Sequence, residues 1–238
     1  MPSQVIFYDW APSPFCFKVR AILDYKGIAY KKVNPLGAAS LKIRREGKIG
    51  KVPAIEIDGE MLTDSTDIVY ALERRFSGPQ VIPTSAYDRA RCHALEDWAD
   101  ESLYFIGLYY QWIEPEGRKM VPLAFGKSLF GRLAFLYYSR LITRQLAGQG
   151  TLRKPAEHVH RDLIRHVESL SALLQPQPFL LGDKPYLCDF ALLGQMVYLA
   201  RTPVGGQLLA GNAAIDGFRA RMRELNPTAQ QGSAGARR

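Results

Sequence analysis

The sequence predicts an α/β domain built on a mixed four-stranded sheet, followed by an all-helical domain. Strand and helix patterns alternate over roughly the first eighty residues, whereas only helical periodicity follows. The change falls at residues 77–83, a stretch of Ser, Gly and Pro that is typical of a linker. We therefore expect domains over residues 1–78 and 85–226, and a small, polar, disordered tail over residues 227–238.

The first strand and helix are predicted from an apolar run and the helical spacing that follows it. Residues 5–8 read Val-Ile-Phe-Tyr, which is typical of a short buried strand. Ser13 can cap the next helix, and Pro14 suits its first turn. Apolar residues then recur at helical spacing until Gly27 ends the run: Phe15, Val19, Ile22 and Leu23.

The rest of the sheet is predicted from one extended segment and one hairpin. Residues 29–33 make a strand candidate after the first helix. Residues 53–57 alternate apolar and polar, and residues 60–63 return after Asp58-Gly59, a strong two-residue hairpin turn. A parallel pair joined to an antiparallel hairpin gives a mixed four-stranded sheet. A second helix is expected from Asp64-Ser65 onward.

Beyond the linker the chain is expected to be helical to its end. The predicted helices cover residues 85–112, 118–147, 156–174, 187–201 and 212–224. The apolar runs within them are too short to span a bilayer, so no membrane-spanning segment is expected.

Composition limits the class of protein. The chain of 238 residues has 47% hydrophobic and 23% charged residues, as globular proteins do. Its three cysteines, Cys16, Cys92 and Cys188, are too few for a disulfide framework and favour a reducing compartment. With no secretory signal pattern at the N-terminus, we expect a cytoplasmic protein. The net charge of +8 favours anionic partners, but no clear nucleic-acid-binding module appears, so nucleic acid is not expected as a partner.

Three loops of the first domain are expected to meet at the ends of the strands. They are Ser13–Cys16, Lys51-Val52-Pro53 and Asp64-Ser65. A thiolate beside the first of these would lie at the positive end of a helix dipole, which stabilises it. The three loops are therefore the place to look for the chemistry of this chain.

Each loop offers a group that suits one part of a small thiol peptide. Ser13 can donate a hydrogen bond to a thiolate, and a cis peptide before Pro53 would turn the backbone of Val52 toward an extended peptide. Asp64 can accept from an ammonium group, and Ser65 with its helix N-terminus can bind a carboxylate. Thiol, peptide backbone, ammonium and carboxylate together describe glutathione.

The same loops resemble those of the cytosolic glutathione transferase family. Ser13–Cys16 matches the active-site turn, Val52-Pro53 the cis-proline loop, and Asp64-Ser65 the acidic-serine pair. Gly182–Asp189 resembles the helix-capping motif of the second domain, with Tyr186 where the family usually has Ser or Thr. The resemblance implies a thioredoxin-like first domain, glutathione as co-substrate, a homodimer and a role in detoxification.

The resemblance also implies roles for individual residues. Ser13 would stabilise the glutathione thiolate for attack on a small apolar electrophile. The residues implied in glutathione binding are Ser13, Phe15, Lys51, Val52, Pro53, Asp64 and Ser65. The implied pocket for the apolar substrate takes Tyr104, Leu108 and Trp112 from an aromatic-rich stretch.

Three alternatives stay open at this point. The turn is a hybrid. It has Ser13 where omega-like, glutaredoxin-like and prostaglandin E synthase type 2-like members carry Cys, but it keeps Cys16, where a dithiol enzyme has its second cysteine. Cys16 could therefore support a glutathione-dependent thiol–disulfide oxidoreductase, and Tyr8 at the end of the first strand could replace Ser13 as the thiolate's partner. The chain could also be a binding protein that keeps the fold without catalysis, with Ser13 as a helix cap only.

A metal site is not expected. His158 and His160 are two residues apart and do not share a helix face, and neither they nor His166 has a cluster of Cys or carboxylate ligands nearby in sequence.

Overall fold

The computed structural model describes residues 3–47 and 50–225, except for the side chains of Leu123 and Ala124. The predicted tail over residues 227–238 lies outside the described residues. Two compact units are present. The first takes in the described residues up to Glu96, Gln177–Gly194 and residues 217–225, and the second takes in Asp97–Pro176 and Gln195–Asp216. The domain limits drawn from the sequence stay predictions.

A mixed four-stranded sheet lies in the first unit, as predicted. Its strands are β1 (Val5–Tyr8), β2 (Lys31–Val33), β3 (Ala54–Ile57) and β4 (Glu60–Thr63), in the spatial order β2-β1-β3-β4. β1 pairs with β2 in parallel and with β3 antiparallel, and β3 pairs antiparallel with β4. A parallel pair needs a crossover, which the helix between β1 and β2 provides. The thioredoxin-like first domain is thereby confirmed.

The helices of the first unit begin with α1 (Pro14–Tyr25), α2 (Ala38–Glu46), α3 (Ser65–Arg75) and α4 (Ala86–Asp97). α1 and α3 contact each other through apolar faces at helical spacing, where Val19, Ile22, Ile68 and Leu72 have no exposed surface. α2 was not predicted, because its sequence is polar and Ile43 is its one buried side chain. Its two large apolar side chains, Leu41 and Ile43, are two residues apart, which is not the spacing that marks one face of a helix.

The remaining chain is helical, as predicted, but is divided differently. A π-helical segment (Trp98–Leu103) is followed by α5 (Tyr104–Trp112), α6 (Pro115–Phe125), α7 (Leu129–Gln149), a 3₁₀ turn (Thr151–Arg153), α8 (Ala156–Leu174), α9 (Leu187–Leu199), α10 (Pro203–Leu209) and α11 (Ala213–Leu225). Throughout residues 3–47 and 50–225, every helix is too short or too polar to cross a bilayer.

Two of the predicted helix boundaries were wrong. The single helix expected over residues 118–147 is two helices, because Gly126 takes a positive φ of 73° and Ser128 caps α7 by accepting from the Gly131 amide. Pro203 was interpreted only as a break, yet it opens α10. Proline suits the first turn of a helix, and Thr202 caps this one.

A buried carboxylate holds the start of α9. Asp189 has no exposed surface and accepts from the amides of Leu180, at 2.8 Å, and Tyr186, at 2.9 Å. The Asp189 amide donates in turn to the Tyr186 carbonyl at 2.8 Å. The cap therefore forms although Tyr186 lacks the hydroxyl acceptor of Ser or Thr. Burial nevertheless raises the pKa of Asp189 to about 6.

Candidate active site

The register of the sheet brings the three predicted loops to one edge. Tyr8 at the end of β1 pairs with Ala54 at the start of β3, and Ala54 pairs with Thr63 at the end of β4. The turn before α1, the loop before β3 and the start of α3 therefore all leave the sheet on the same side. Because these pairings join residues some ten to fifty positions apart, the loops meet through strand pairing rather than through closeness in the chain.

Ser13 is the N-cap of α1, as its position before Pro14 predicts. Its backbone is extended, its amide donates to the Trp10 carbonyl at 2.9 Å, and its Oγ accepts from the Cys16 amide at 3.2 Å. A hydroxyl that accepts one hydrogen bond still has its own hydrogen to donate. Ser13 can thus donate to an anion while the helix cap remains intact.

Cys16 lies one helical turn inside α1 and has no exposed surface. Its Sγ accepts from the Trp10 amide at 3.4 Å. Burial raises the pKa of Cys16 to about 11, against the smaller lowering effects of the hydrogen bonds with Trp10 and Ser13. The side chain is therefore a protonated thiol near neutral pH, which is poorly suited to nucleophilic or redox chemistry.

Tyr8 is engaged elsewhere. Its ring is buried, and its hydroxyl donates to Oε2 of Glu56 at 3.2 Å, an oxygen that also receives Lys42 Nζ at 2.6 Å. Burial raises the pKa of Tyr8, so the phenol stays protonated. These contacts weigh against Tyr8 as the partner of a bound thiolate.

Asp64 and Ser65 form the start of α3. Asp64 is exposed, and its Oδ1 accepts from the amides of Thr66 at 2.9 Å and Asp67 at 3.3 Å. Oδ2 takes part in neither of these bonds, so it is positioned to receive an ammonium group. Ser65, the first residue of α3, is buried. One residue pair can thus cap the helix and present a carboxylate beside the positive end of its dipole.

The loop before β3 and the start of α1 supply the other predicted contacts. The Val52–Pro53 peptide bond is cis. Lys51 is exposed, Val52 is half-buried and Pro53 is buried, while Phe15 in the first turn of α1 is half-buried.

A buried charge network that the sequence did not reveal fixes the turn before α1. Asp9, 4% exposed, receives both Nε and an Nη of Arg20 at 3.0 Å and Nζ of Lys32 at 2.7 Å. Its amide donates to the Val33 carbonyl at 3.0 Å. The segment leading to Ser13 is therefore tied to both α1 and β2. An acidic residue directly after β1 was the one available signal.

A second buried network joins α1 to α3. Lys18 Nζ lies 2.7 Å from Oε1 of Glu96, with 1% and 6% of the two side chains exposed. The Thr66 hydroxyl donates to the same Glu96 oxygen and receives Lys18 Nζ at 3.3 Å. Shared partners in a desolvated site hold side chains in one arrangement, so the first turns of α1 and α3 are coupled.

The three residues predicted for the apolar substrate belong to α5, in the second unit. Leu108 is 2% exposed and Trp112 is 9% exposed, with the Trp112 ring stacked on Phe135 at a centroid distance of 6.4 Å, whereas Tyr104 is half-buried. A cavity of about 270 Å³ in this unit has a different lining: Ser102, Ile106, Gln149, Thr151, Lys154, Val159, Asp162, Arg165 and His166.

Two of the three histidines considered from the sequence, His160 and His166, are used in local hydrogen bonds. Trp98 Nε1 donates to His166 Nδ1 at 3.0 Å, and burial lowers the pKa of His166. The Tyr110 hydroxyl lies 2.9 Å from His160 Nδ1. Among the residues that the structure describes, no group of His, Cys, Asp or Glu is arranged to hold a metal ion.

Comparison with known proteins agrees with this geometry. Residues 7–80 match the family model of the glutathione S-transferase N-terminal domain. The isoprene-epoxide–glutathione S-transferase of Rhodococcus sp. (strain AD45) is 26% identical over 198 residues, which cover 80% of this chain and 82% of that protein. "Failed axon connections" of Drosophila melanogaster is 28% identical over 209 residues, covering 79% of this chain. This chain spans about half of that longer relative, 47% of its length.

The fold of the chain is also similar to that of solved structures. The crystal structure of the beta-etherase LigF from Sphingobium sp. strain SYK-6 superposes with a TM-score of 0.71 at 19% sequence identity, covering 99% of this chain and all of that one. The N-terminal domain model, the related sequences and the shared fold agree. The first domain is thus similar to the N-terminal domain of the glutathione S-transferases, and the whole chain is similar in fold to the solved beta-etherase.

Proposed function

We propose that this protein is a glutathione transferase in which the Ser13 hydroxyl stabilises the glutathione thiolate for attack on a small apolar electrophile. The observation that carries the proposal is the hydrogen-bond arrangement of Ser13, whose Oγ accepts from the Cys16 amide and whose own hydrogen can rotate toward a ligand. Ser13 retains 7% exposure whereas Cys16 has none, which supports Ser13, rather than the cysteine, as the group that meets the substrate.

Glutathione would bind along the edge where the three loops meet. The Asp64 carboxylate would receive the ammonium group, and Ser65 with the first amides of α3 would bind a carboxylate. Backbone groups of Val52 would form hydrogen bonds with the peptide backbone of glutathione, and Phe15, Lys51 and Pro53 would lie beside it. This orientation points the cysteine of the ligand at the N-terminus of α1.

The reaction would then need no covalent enzyme intermediate. The glutathione thiol loses its proton to solvent, and its sulfur becomes an anion that accepts the Ser13 hydrogen bond beside the positive end of α1. The sulfur forms a C–S bond at the electrophilic carbon as the bond to the leaving group, or to an epoxide oxygen, breaks. An opened epoxide oxygen takes a proton from water. Lowering the thiol pKa by about two units would raise the thiolate fraction near neutrality up to a hundredfold.

An epoxide is the electrophile best supported. The Rhodococcus relative, which is similar to this chain over most of both lengths, is named as an isoprene-epoxide–glutathione S-transferase. Tyr104, Leu108 and Trp112 would then line the pocket for the apolar part of the substrate. We further propose a cytoplasmic homodimer with a detoxifying role, because the cysteines are free thiols and the family resemblance implies a dimer.

The first experiment measures conjugation by a Ser13→Ala variant. We expect kcat/KM for conjugation to fall by about tenfold to a hundredfold while glutathione still binds, because the variant loses one donor to the thiolate. Ser13→Thr keeps a hydroxyl and serves as the matched control. Wild-type conjugation by Ser13→Ala would overturn the role of Ser13.

A second experiment separates the transferase from its alternatives. Glutathione at a hundred times its dissociation constant should stabilise the protein by about 2.7 kcal/mol, and no shift in Tm would favour a binding protein without a glutathione site. Cys16→Ser should keep conjugation in the folded protein. Loss of a thiol–disulfide exchange activity in that variant, with conjugation absent from the wild type, would establish the oxidoreductase instead.

A further inference from the structure

The net positive charge of the protein resides in one segment. Residues 117–156 contain eight basic residues and no acidic residue: Arg118, Lys119, Lys127, Arg132, Arg140, Arg144, Arg153 and Lys154. The whole chain has 31 basic and 23 acidic residues, so the remaining positions are balanced at 23 of each. The charge of +8 is therefore a local property of α6, α7 and the turn after them.

The same segment exposes apolar side chains. Of the twelve large apolar side chains exposed in the described part of the chain, seven lie on α7: Leu129, Phe130, Leu133, Leu136, Tyr137, Tyr138 and Leu141. Phe130 is 81% exposed and Leu129 is 73% exposed. Single exposed leucines are ordinary on a protein surface, but a contiguous apolar face marks an interaction surface.

Helical geometry places four of these side chains on one face. Leu129, Leu133, Leu136 and Tyr137 recur at the spacing that lines one side of a helix, whereas Gly131 and Leu146 of the same helix are buried. α7 is thus apolar on its buried side and also on its exposed side over its N-terminal half. The exposed apolar residues run from Leu129 to Leu141, which is about 20 Å of helix.

The basic residues on α7 are available to a partner. Arg132, Arg140 and Arg144 are exposed, and no carboxylate of the described residues lies within ion-pair distance of them. Farther out in the segment, Lys119 pairs with Glu116 at 2.5 Å, and Lys154 pairs with Asp162 at 2.6 Å. Three of the uncompensated positive charges of the segment are therefore on the helix that also exposes the leucines.

We propose that α7 docks on an anionic lipid bilayer, with its exposed leucines, Phe130 and Tyr137 entering the boundary between headgroups and acyl chains. The arginines beside them would contact lipid phosphates. Arg140 and Arg144 follow Leu133 and Tyr137 along the same exposed face of α7, so apolar insertion and phosphate contact can occur together when this face lies on a membrane surface. Anionic headgroups satisfy the charge and acyl chains satisfy the leucines, so a single surface meets both requirements.

Other occupants fit less well. A second copy of the chain would bring the same positive segment to the interface, and like charges would repel. Single-stranded nucleic acid is held by aromatic stacking platforms, whereas four of the seven exposed apolar side chains of α7 are leucines, which cannot stack on bases. An acidic protein surface satisfies the arginines but is depleted in apolar area for the leucines.

The test is co-sedimentation of the full chain with lipid vesicles. One set is phosphatidylcholine alone, and the other contains phosphatidylcholine and phosphatidylglycerol in equal parts. We expect binding to the anionic vesicles to be at least tenfold tighter and to weaken as salt is added, because both charge and apolar insertion contribute. Absent binding to the anionic vesicles, or equal binding to both sets, would overturn the proposal.

Paired variants test each contribution. Leu133→Ser/Leu136→Ser and Arg140→Gln/Arg144→Gln should each weaken binding at least tenfold, since a basic residue near an anionic surface contributes about fivefold. Leu36→Ser/Leu41→Ser, at leucines that are 62% and 70% exposed on the first unit, and Arg74→Gln/Arg161→Gln are the matched controls. Equal losses in the control pairs would contradict a surface on α7.

Two further measurements address the other occupants. Sedimentation of the wild type and of Leu133→Ser/Leu136→Ser reports the oligomeric state, and a dimer that dissociates in this variant would assign the face to a second copy. A competing duplex or single-stranded oligonucleotide that binds the protein as tightly as the anionic vesicles do would assign the exposed α7 face to nucleic acid. Glutathione conjugation by the α7 variants should be unchanged, so this surface is tested separately from the active site.

Discussion

Ser13 and Cys16 lie one helical turn apart, and their environments differ in a way that separates their roles. Both residues are part of the α1 cap, because Ser13 Oγ accepts from the Cys16 backbone amide. The Ser13 hydroxyl retains a hydrogen to donate, whereas the Cys16 thiol is enclosed and its pKa is raised to about 11. The position of a side chain within the first turn therefore decides whether it meets a ligand.

Thiol labelling tests this difference. All three cysteines are free and buried, so a thiol reagent at neutral pH should modify the folded protein slowly and the urea-unfolded protein at three sites. Labelling of Cys16 should be at least a hundredfold slower in the folded protein, because its raised pKa and burial suppress the reactive thiolate. The measurement is reagent incorporation over time by mass spectrometry, with Cys16→Ser as the control. Rapid labelling of Cys16 in the folded protein would restore the oxidoreductase alternative.

Asp189 predicts a pH dependence of stability. Its pKa is raised from the ordinary aspartate value of 3.8 to about 6 in the folded protein, so the folded state keeps the proton up to a higher pH than the unfolded state does. The contribution of Asp189 to the free energy of unfolding is most favourable below about pH 4. Roughly 3 kcal/mol of it is lost as the pH rises through about 6.

The measurement is urea unfolding of the wild type and of Asp189→Asn near pH 4 and near pH 7. Asn cannot ionise, so the wild type should lose stability relative to the variant as the pH rises. Parallel pH dependences in the two proteins would show that Asp189 titrates normally.

At the scale of elements, α9 closely approaches the first turn of α1 within the first unit. A Cβ added at Gly194 would lie 2.6 Å from the Pro14 carbonyl oxygen, a backbone atom that cannot move without shifting the turn. Glycine at this position therefore allows the close packing that supports the residue beside Ser13.

Gly194→Ala should destabilise the protein by about 1 to 3 kcal/mol and also lower kcat/KM for conjugation, because the displaced turn carries the Ser13 cap. Gly148→Ala is the matched control, since an added Cβ at that helical glycine meets no atom within 4 Å. That control should be neutral or slightly stabilising. Chemical denaturation and steady-state kinetics measure both quantities, and equal behaviour of the two variants would contradict the close approach.

Local signals predicted the elements that carry the candidate site. The Ser-Pro cap, the proline after Val52 and the Asp-Ser helix start each specify a backbone geometry within a few residues, so their loops could be predicted. α2 was missed because Ile43 alone is buried on it. The networks of Asp9 with Arg20 and of Lys18 with Glu96 were missed because no spacing rule joins residues 11 or 78 positions apart.

At the scale of the whole molecule, the exposure of the apolar residues of α7 could not be predicted from the sequence, although the charge could be read from it. The net charge of +8 was evident, but the apolar residues of α7 resemble a core helix until the exposure of Leu129 and Phe130 is known. Amphipathic periodicity identifies a buried face only where the other face is polar. The interaction surface therefore required the structure, whereas the α/β and all-helical division did not.

The central claim, that the Ser13 hydroxyl stabilises the glutathione thiolate, is tested most directly by the pKa of the bound glutathione thiol. Ultraviolet difference spectroscopy of the protein–glutathione complex over a pH titration reports the thiolate. We expect a pKa about two units below the ordinary thiol value in the wild type, and a return toward that value in Ser13→Ala. An identical thiol pKa in the two proteins, with glutathione bound to both, would contradict the account.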